Sequence, residues 1–319
     1  MRQPGQQPLW IPSPERVATT QLKAFMDGLA TTEDFDARGD YFALHRWSLD
    51  QPRAFWRAVW RFTEVQGTPG DTVCDDPPRL PGCKWFPDAT LNYAENLLRF
   101  RDEREALVEI DESESRRTVT YRELAEHVGQ MVIWMAETGI EPGDRVAGFM
   151  PNCIETVIAM LATASMGAVW SSCSPDFGMQ GALDRFGQIA PRLLFTADGY
   201  RYNGKACDSL ARACEIATAI DTIERVVVVP KLSDDPDVAG IRAAVMWRDC
   251  LVGDAQPLSF VTRRFNDPLF ILYSSGTTGV PKCIVHGIGG TLLQHAKEHT
   301  LHTDISREDR FFYFTTCGW

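Results

Sequence analysis

The stretch Tyr273-Ser274-Ser275-Gly276-Thr277-Thr278-Gly279-Val280-Pro281-Lys282 constrains this chain more than any other. It leaves an apolar run, Leu269-Phe270-Ile271-Leu272, that has the length and composition of a buried strand. A second apolar run follows at Cys283-Ile284-Val285. Gly276 and Gly279 permit positive φ, so successive amide N–H groups can point into one concavity. The hydroxyls of Ser274, Ser275, Thr277 and Thr278 and the ammonium of Lys282 belong to the same short loop. Such a set suits a polyphosphate, because each donor meets an anionic oxygen and the ammonium offsets charge. A Walker A loop is excluded: it needs G-x-x-x-x-G-K-[ST] opening into a helix. Here the two glycines lie three apart, Lys282 follows three later, and Cys283 comes next.

The rest of the composition limits the partners. A net charge of −11 argues against non-specific nucleic-acid binding, which demands a basic face. Positive charge for a nucleotide must therefore be local, and Lys282 is the candidate. The nine cysteines contain no C-x-x-C pair, their number is odd, and Met1 to Pro8 is polar. The reading is free thiols in a reducing cytoplasm. The richest apolar stretch, Val157 to Trp170, is too short and too rich in Ala, Ser, Thr and Gly to span a bilayer, so no membrane partner is expected.

Residues 1–104 read as an N-terminal wrapping segment, with Trp10, Trp47, Trp56, Trp60 and Trp85 as packing residues among short helical patterns. Residues 105–319 read as an α/β domain. Thr120 and Glu123 form a capping-box pair ahead of Leu124, Val128, Met131 and Met135 at helical spacing, and Gly139 stands at the C-terminal cap. Strands are expected at 145–150, 168–172, 193–197 and 225–229, with helices opening at Asn152-x-x-Glu155 and near Met179. Strands alternating with helices predict a parallel sheet covered on both faces. Ser174, Pro175 and Asp176 read as an ordinary strand-to-helix turn that could face a cleft, and Asp184 and Arg185 as solvated helix charges. Phe311-Phe312-Tyr313-Phe314 reads as a buried strand. Because it is followed almost at once by Trp319, more chain is expected beyond that residue.

The loop at 273–282 resembles the ATP-phosphate loop of the adenylate-forming acyl-CoA synthetases, many of which carry Gly where this chain has Cys283. Further blocks are similar to the acetoacetyl-CoA synthetase branch of that family: Leu9 to Arg16, Leu44 to Ser48, Leu91 to Asn96, Trp170 to Gly178, Asp198 to Lys205 and Arg310 to Thr316. The resemblance implies layered sheets flanked by helices, being the N-terminal part of a large AMP-binding domain, with that domain incomplete and the small C-terminal domain absent. It implies an acid–thiol ligase that adenylates acetoacetate with ATP and then forms a thioester with coenzyme A. Lys282 would be the catalytic cation, and Ser274, Ser275, Gly276, Thr277, Thr278 and Gly279 would hold the phosphates. Thr278 would lie near magnesium, while His286, Gly318 and Trp319 would lie toward the acyl site. On this reading the isolated chain is inactive and needs a complementing C-terminal chain. The competing readings are a catalytically silent nucleotide-binding fragment or a synthetase for another short carboxylate.

Overall fold

The computed structural model describes residues 9–74, 81–251, 253, 257–274 and 279–318. The chain divides into two compact units, one of Met1–Val65, Pro69–Pro87 and Thr291–Phe312, the other of Gln66–Thr68, Asp88–Gly290 and Tyr313–Trp319.

The larger unit is built on a seven-stranded sheet. In chain order its strands are β1 (Arg145–Phe149), β2 (Val169–Cys173), β3 (Leu193–Ala197), β4 (Arg225–Val229), β5 (Ala244–Met246), β6 (Pro268–Tyr273) and β7 (Cys283–Gly287). Their spatial order is β5-β4-β3-β1-β2-β6-β7. Every pairing is parallel except β6 with β7, an antiparallel hairpin. The connecting helices are α1 (Tyr121–Glu137), α2 (Ile154–Ser165), α3 (Met179–Phe186) and α4 (Leu210–Ala219). The expected α/β sheet and its four strands are present within a residue or so of the expected bounds.

Local chemistry accounts for these elements. The Thr120 Oγ1 accepts from the Glu123 amide while the Glu123 carboxylate accepts from the Thr120 amide, so α1 starts on a complete capping box. Leu124, Val128, Met131 and Met135 are all buried, and Gly139 takes φ +86° just past the helix end. Strand β4 buries Val226, Val227, Val228 and Val229, as β-branched residues do when both faces of a sheet are covered. The core on one face joins Phe149, Phe186, Leu194, Ile216, Val226 and Val228. Each such side chain contributes about 1.5–3 kcal/mol on full burial. Gly148 is required at its place in β1, since a Cβ there would meet the Trp170 ring at 2.6 Å.

The smaller unit holds helices at Gln21–Thr32, Tyr41–Asp50 and Pro52–Phe62 and a π-helix at Glu298–His302. Four of the five tryptophans expected to pack have ring partners, with Phe35 stacked on Trp47, Trp56 edge-on to Trp85 and Trp60 against Phe86, while Phe25 meets Phe55 and Phe62 edge-on; Trp10, ahead of the first helix, is 69% exposed and does not pack.

Several other expectations fail. Helix α2 is capped by Cys153, not Asn152, and its first amide (Ile154) donates to the distant Glu109 carboxylate at 3.0 Å. Phe311 to Phe314 form no strand and are exposed: they join no ladder among the described residues, and Phe311 meets the His299 ring edge-on. Cys74 and Cys83 are joined as a disulfide, leaving seven free cysteines. An antiparallel bridge pairs Cys74 with Trp85, a proximity that a cysteine count cannot reveal.

Candidate nucleotide site

Strand β6 ends at Tyr273, just ahead of the glycine-threonine stretch in the sequence. The Tyr273 hydroxyl donates to Ser171 Oγ at 2.9 Å, and Ser171 in turn donates to the Ile271 carbonyl at 2.7 Å. Burial pushes the Tyr273 phenol well above its ordinary pKa, so it stays a neutral donor. The hairpin closes between Ser274 and Lys282: the Ser274 amide donates to the Lys282 carbonyl (3.1 Å), and the Lys282 amide donates to Ser274 Oγ (3.4 Å). One expected phosphate-binding hydroxyl, Ser274, is thus at the hairpin neck. Gly279 takes φ +117°, a conformation that favours glycine. Lys282 is exposed, and its ammonium has no acidic partner among the described residues. Ser275, Gly276, Thr277, Thr278 and Trp319 lie outside the described residues. His286 lies on β7 opposite Phe270, and Gly318 packs so tightly on the end of β2 that a Cβ would come within 3.0 Å of Cys173.

Helix α3 borders the same hairpin. The Arg185 guanidinium lies 4.1 Å over the Phe177 ring and 5.7 Å from the Tyr273 ring centroid, and donates to the Gly181 carbonyl at 2.7 Å. Arg185 is therefore half-buried on aromatic faces, not a solvated charge, because its planar head stacks where a lysine would not. Asp184 accepts from Gln180 on the helix surface, as expected of a solvated residue.

A concavity lies where the sheet changes direction. Strand β2 lies on one side of β1 and β3 on the other, and ligands of open α/β sheets bind outside the carboxyl ends of the strands at such a point. A cleft of about 620 Å³ opens there. Its walls include Asn152 past β1, Ser174 to Asp176 past β2, Tyr200 to Tyr202 past β3, and Lys231 past β4. The turn at Ser174–Asp176 therefore does face a cleft. Asp176 is engaged there, accepting from Tyr200 Oη at 2.5 Å and Ser174 Oγ at 2.9 Å. Arg201 makes no hydrogen bond or ion pair among the described residues.

Lys231 anchors a charge network under the cleft. It meets Glu109 at 2.5 Å and Glu155 Oε2 at 3.7 Å, while Arg117 meets Glu155 Oε1 at 2.5 Å and Glu109 at 3.8 Å. Two cations and two carboxylates balance. Burial works against the charge on Lys231, but Glu155 and Glu109 outweigh it and hold its pKa above the usual lysine value. Burial likewise opposes the Glu155 charge; Lys231 and Arg117 outweigh it and keep that carboxyl below the usual range. Asp198 sets the position of Lys231, its carboxylate accepting from the amides of Lys231 (2.6 Å), Leu232 (3.0 Å) and Ser233 (2.9 Å). The terminal segment is tied to the same rim. Asn152 donates to the Thr315 carbonyl (2.6 Å) and accepts from the Cys317 amide (2.8 Å).

Comparison with known proteins settles the family. Residues 94–319 match the profile described as "AMP-binding enzyme", and residues 41–97 match "Acetyl-coenzyme A synthetase N-terminus". The chain belongs to the AMP-binding enzyme family. This AMP-binding chain is 46% identical over 318 residues to the acetoacetyl-coenzyme A synthetase of Rhizobium meliloti (strain 1021), covering 99% of this chain and 48% of that protein. It is 39% identical to malonamoyl-CoA synthetase vrtB of Penicillium aethiopicum, over 99% of this chain and 45% of that one. Among solved structures, acetoacetyl-CoA synthetase from Streptomyces lividans superimposes with a TM-score of 0.92 at 42% identity, over 98% of this chain and 48% of that chain. The chain spans about half the length of the curated relatives it matches. None of its described helices is long and apolar enough to cross a membrane.

Proposed function

We propose that this AMP-binding chain holds the triphosphate of ATP on the hairpin loop between β6 and β7 and belongs to an acid–thiol ligase. The observation that carries the reading is Lys282. It is an exposed ammonium without an acidic partner among the described residues, fixed at a hairpin neck beside a positive-φ glycine, in a chain of net charge −11. In such a ligase a carboxylate displaces pyrophosphate from ATP, and the coenzyme A thiol then displaces AMP. Charge accumulates on the departing pyrophosphate, and a fixed cation there stabilises the transition state. The backbone around Gly279, the Ser274 hydroxyl and Lys282 serve that purpose, and Ser275, Gly276, Thr277 and Thr278 are assigned to the same phosphates. Magnesium would come with the triphosphate, near Thr278. Among the described residues no group of three carboxylates, histidines or cysteines could hold it.

The acyl substrate proposed is a short 3-oxo carboxylate such as acetoacetate. Acetoacetyl and malonamoyl, the acyl groups named in the relatives, both carry a carbonyl at that position. His286, Gly318 and Trp319 belong to the proposal as residues toward the acyl group. The cleft at the switch point, with Arg201 at its wall, is assigned to the phosphates of the second nucleotide-bearing substrate, coenzyme A. Residues 1–104 are assigned as the wrapping segment of the 105–319 domain. A portion equivalent to the remainder of the relatives would complete the reaction, with the whole acting in the cytoplasm. The kinetic test uses that completed enzyme. Lys282→Ala is expected to slow acyl-adenylate formation by at least tenfold while leaving thioester formation from preformed adenylate within about twofold. Equal losses in both steps would contradict the assignment.

A further inference from the structure

We propose that helix α3 positions the phosphate loop, with Gln188 just past its end fixing the β7 side and Arg185 the β6 side. The proposal rests on the reading of the loop as the ATP-phosphate site.

Lys282 is flanked by Pro281 and Cys283, and a single side chain grips both neighbours. Gln188 Nε2 donates to the Pro281 carbonyl at 2.8 Å, while Gln188 Oε1 accepts from Cys283 Sγ at 3.6 Å. The same Nε2 donates to the Asp184 carbonyl at 2.5 Å, which ties the amide back to its own helix. Both partners of Nε2 are carbonyl oxygens that can only accept, so the orientation of the amide is determined by its surroundings. With two donors and one acceptor in use, Gln188 has one orientation available. The backbone on either side of Lys282 is pinned through it.

Three residues earlier, within the last turn of α3, Arg185 reaches the other root of the loop. It stacks on Phe177 and approaches Tyr273, the residue that precedes Ser274. No carboxylate pairs with it among the described residues. Its charge is therefore not cancelled locally, and it adds positive potential at the loop's entrance while its stacking holds Tyr273 in place. The Cys283 thiol supplies the second contact to Gln188.

A positioning pair of this kind acts on the β- and γ-phosphates and not on the part of ATP shared with AMP. The test is isothermal titration of the 319-residue chain and its variants with ATP and with AMP, alongside thermal melting. Gln188→Leu, which preserves volume but removes both contacts to Pro281 and Cys283 along with the one to Asp184, is expected to raise the Kd for ATP about five- to tenfold and leave that for AMP within twofold, with little change in melting temperature. Arg185→Leu is expected to act in the same direction. Cys283→Ser, which keeps a donor toward Gln188, is expected to stay within twofold of the parent, whereas Cys283→Ala weakens ATP alone. If Gln188→Leu melts early, Cys283→Ala tests the same grip from the other side. The positioning role is overturned if the parent prefers ATP, Lys282→Ala abolishes that preference, and yet Gln188→Leu and Cys283→Ala keep it. If the parent itself does not prefer ATP over AMP, the phosphate-loop reading falls and this proposal falls with it.

Discussion

Glu155 is the residue whose environment departs most from what its sequence neighbours suggest. It reads as the helix-capping acid of an Asn-x-x-Glu pattern, but its side chain is 9% exposed and bound to Arg117 and Lys231. Its folded pKa lies below the ordinary 4.5 and that of Lys231 above the ordinary 10.5. The Glu155 contribution is present above about pH 4.5 and fades as pH falls through the lower folded value. The Lys231 contribution is complete below about pH 10.5 and fades only as pH rises through its higher folded value. Glu155→Gln leaves two cations facing one carboxylate and is expected to destabilise the chain by about 3 kcal/mol near neutral pH. The gap in melting temperature between parent and variant should narrow below pH 4.5. A gap that stays constant down to pH 3 would mean the ion pairs carry none of it.

At the scale of elements, periodicity and capping chemistry were sufficient where the partners are close in sequence. Helix α1 is the clear case: its capping box, its four buried apolar positions and its glycine stop are all local features. Thr120→Ala is expected to cost about 1 kcal/mol in denaturant unfolding, and Thr120→Ser close to nothing. An equal loss for serine would mean that the methyl packing of Thr120 matters and not the cap. The loop between β6 and β7 was legible for the same reason, because its glycines, hydroxyls and lysine are consecutive. Arg185 was not, since a charge at a helix position looks solvated until Phe177 and Tyr273 are placed around it. The pairs Lys231–Glu109 and Asn152–Thr315 lie 122 and 163 residues apart, and no local pattern announces them.

For the whole molecule, the sheet's order explains where the hairpin and the cleft lie. The hairpin β6–β7 ends the sheet on one side, and the switch at β1 opens the cleft. Ending the sheet has a consequence: β7 is an edge strand whose Ile284 and Val285 are 46% and 56% exposed. Concentration-dependent self-association of the 319-residue chain is expected in sedimentation velocity, and Ile284→Lys should suppress it. A parent that stays monomeric across the range would show that this edge is protected. The central claim is that Lys282 and its loop bind the β- and γ-phosphates of ATP. Calorimetric titration of the chain with ATP and with AMP tests it most directly. The account predicts tighter binding of ATP, and a loss of about ten- to a hundredfold in ATP affinity alone on Lys282→Ala. Equal affinity for ATP and AMP in the parent, or equal loss of both in the variant, would contradict it.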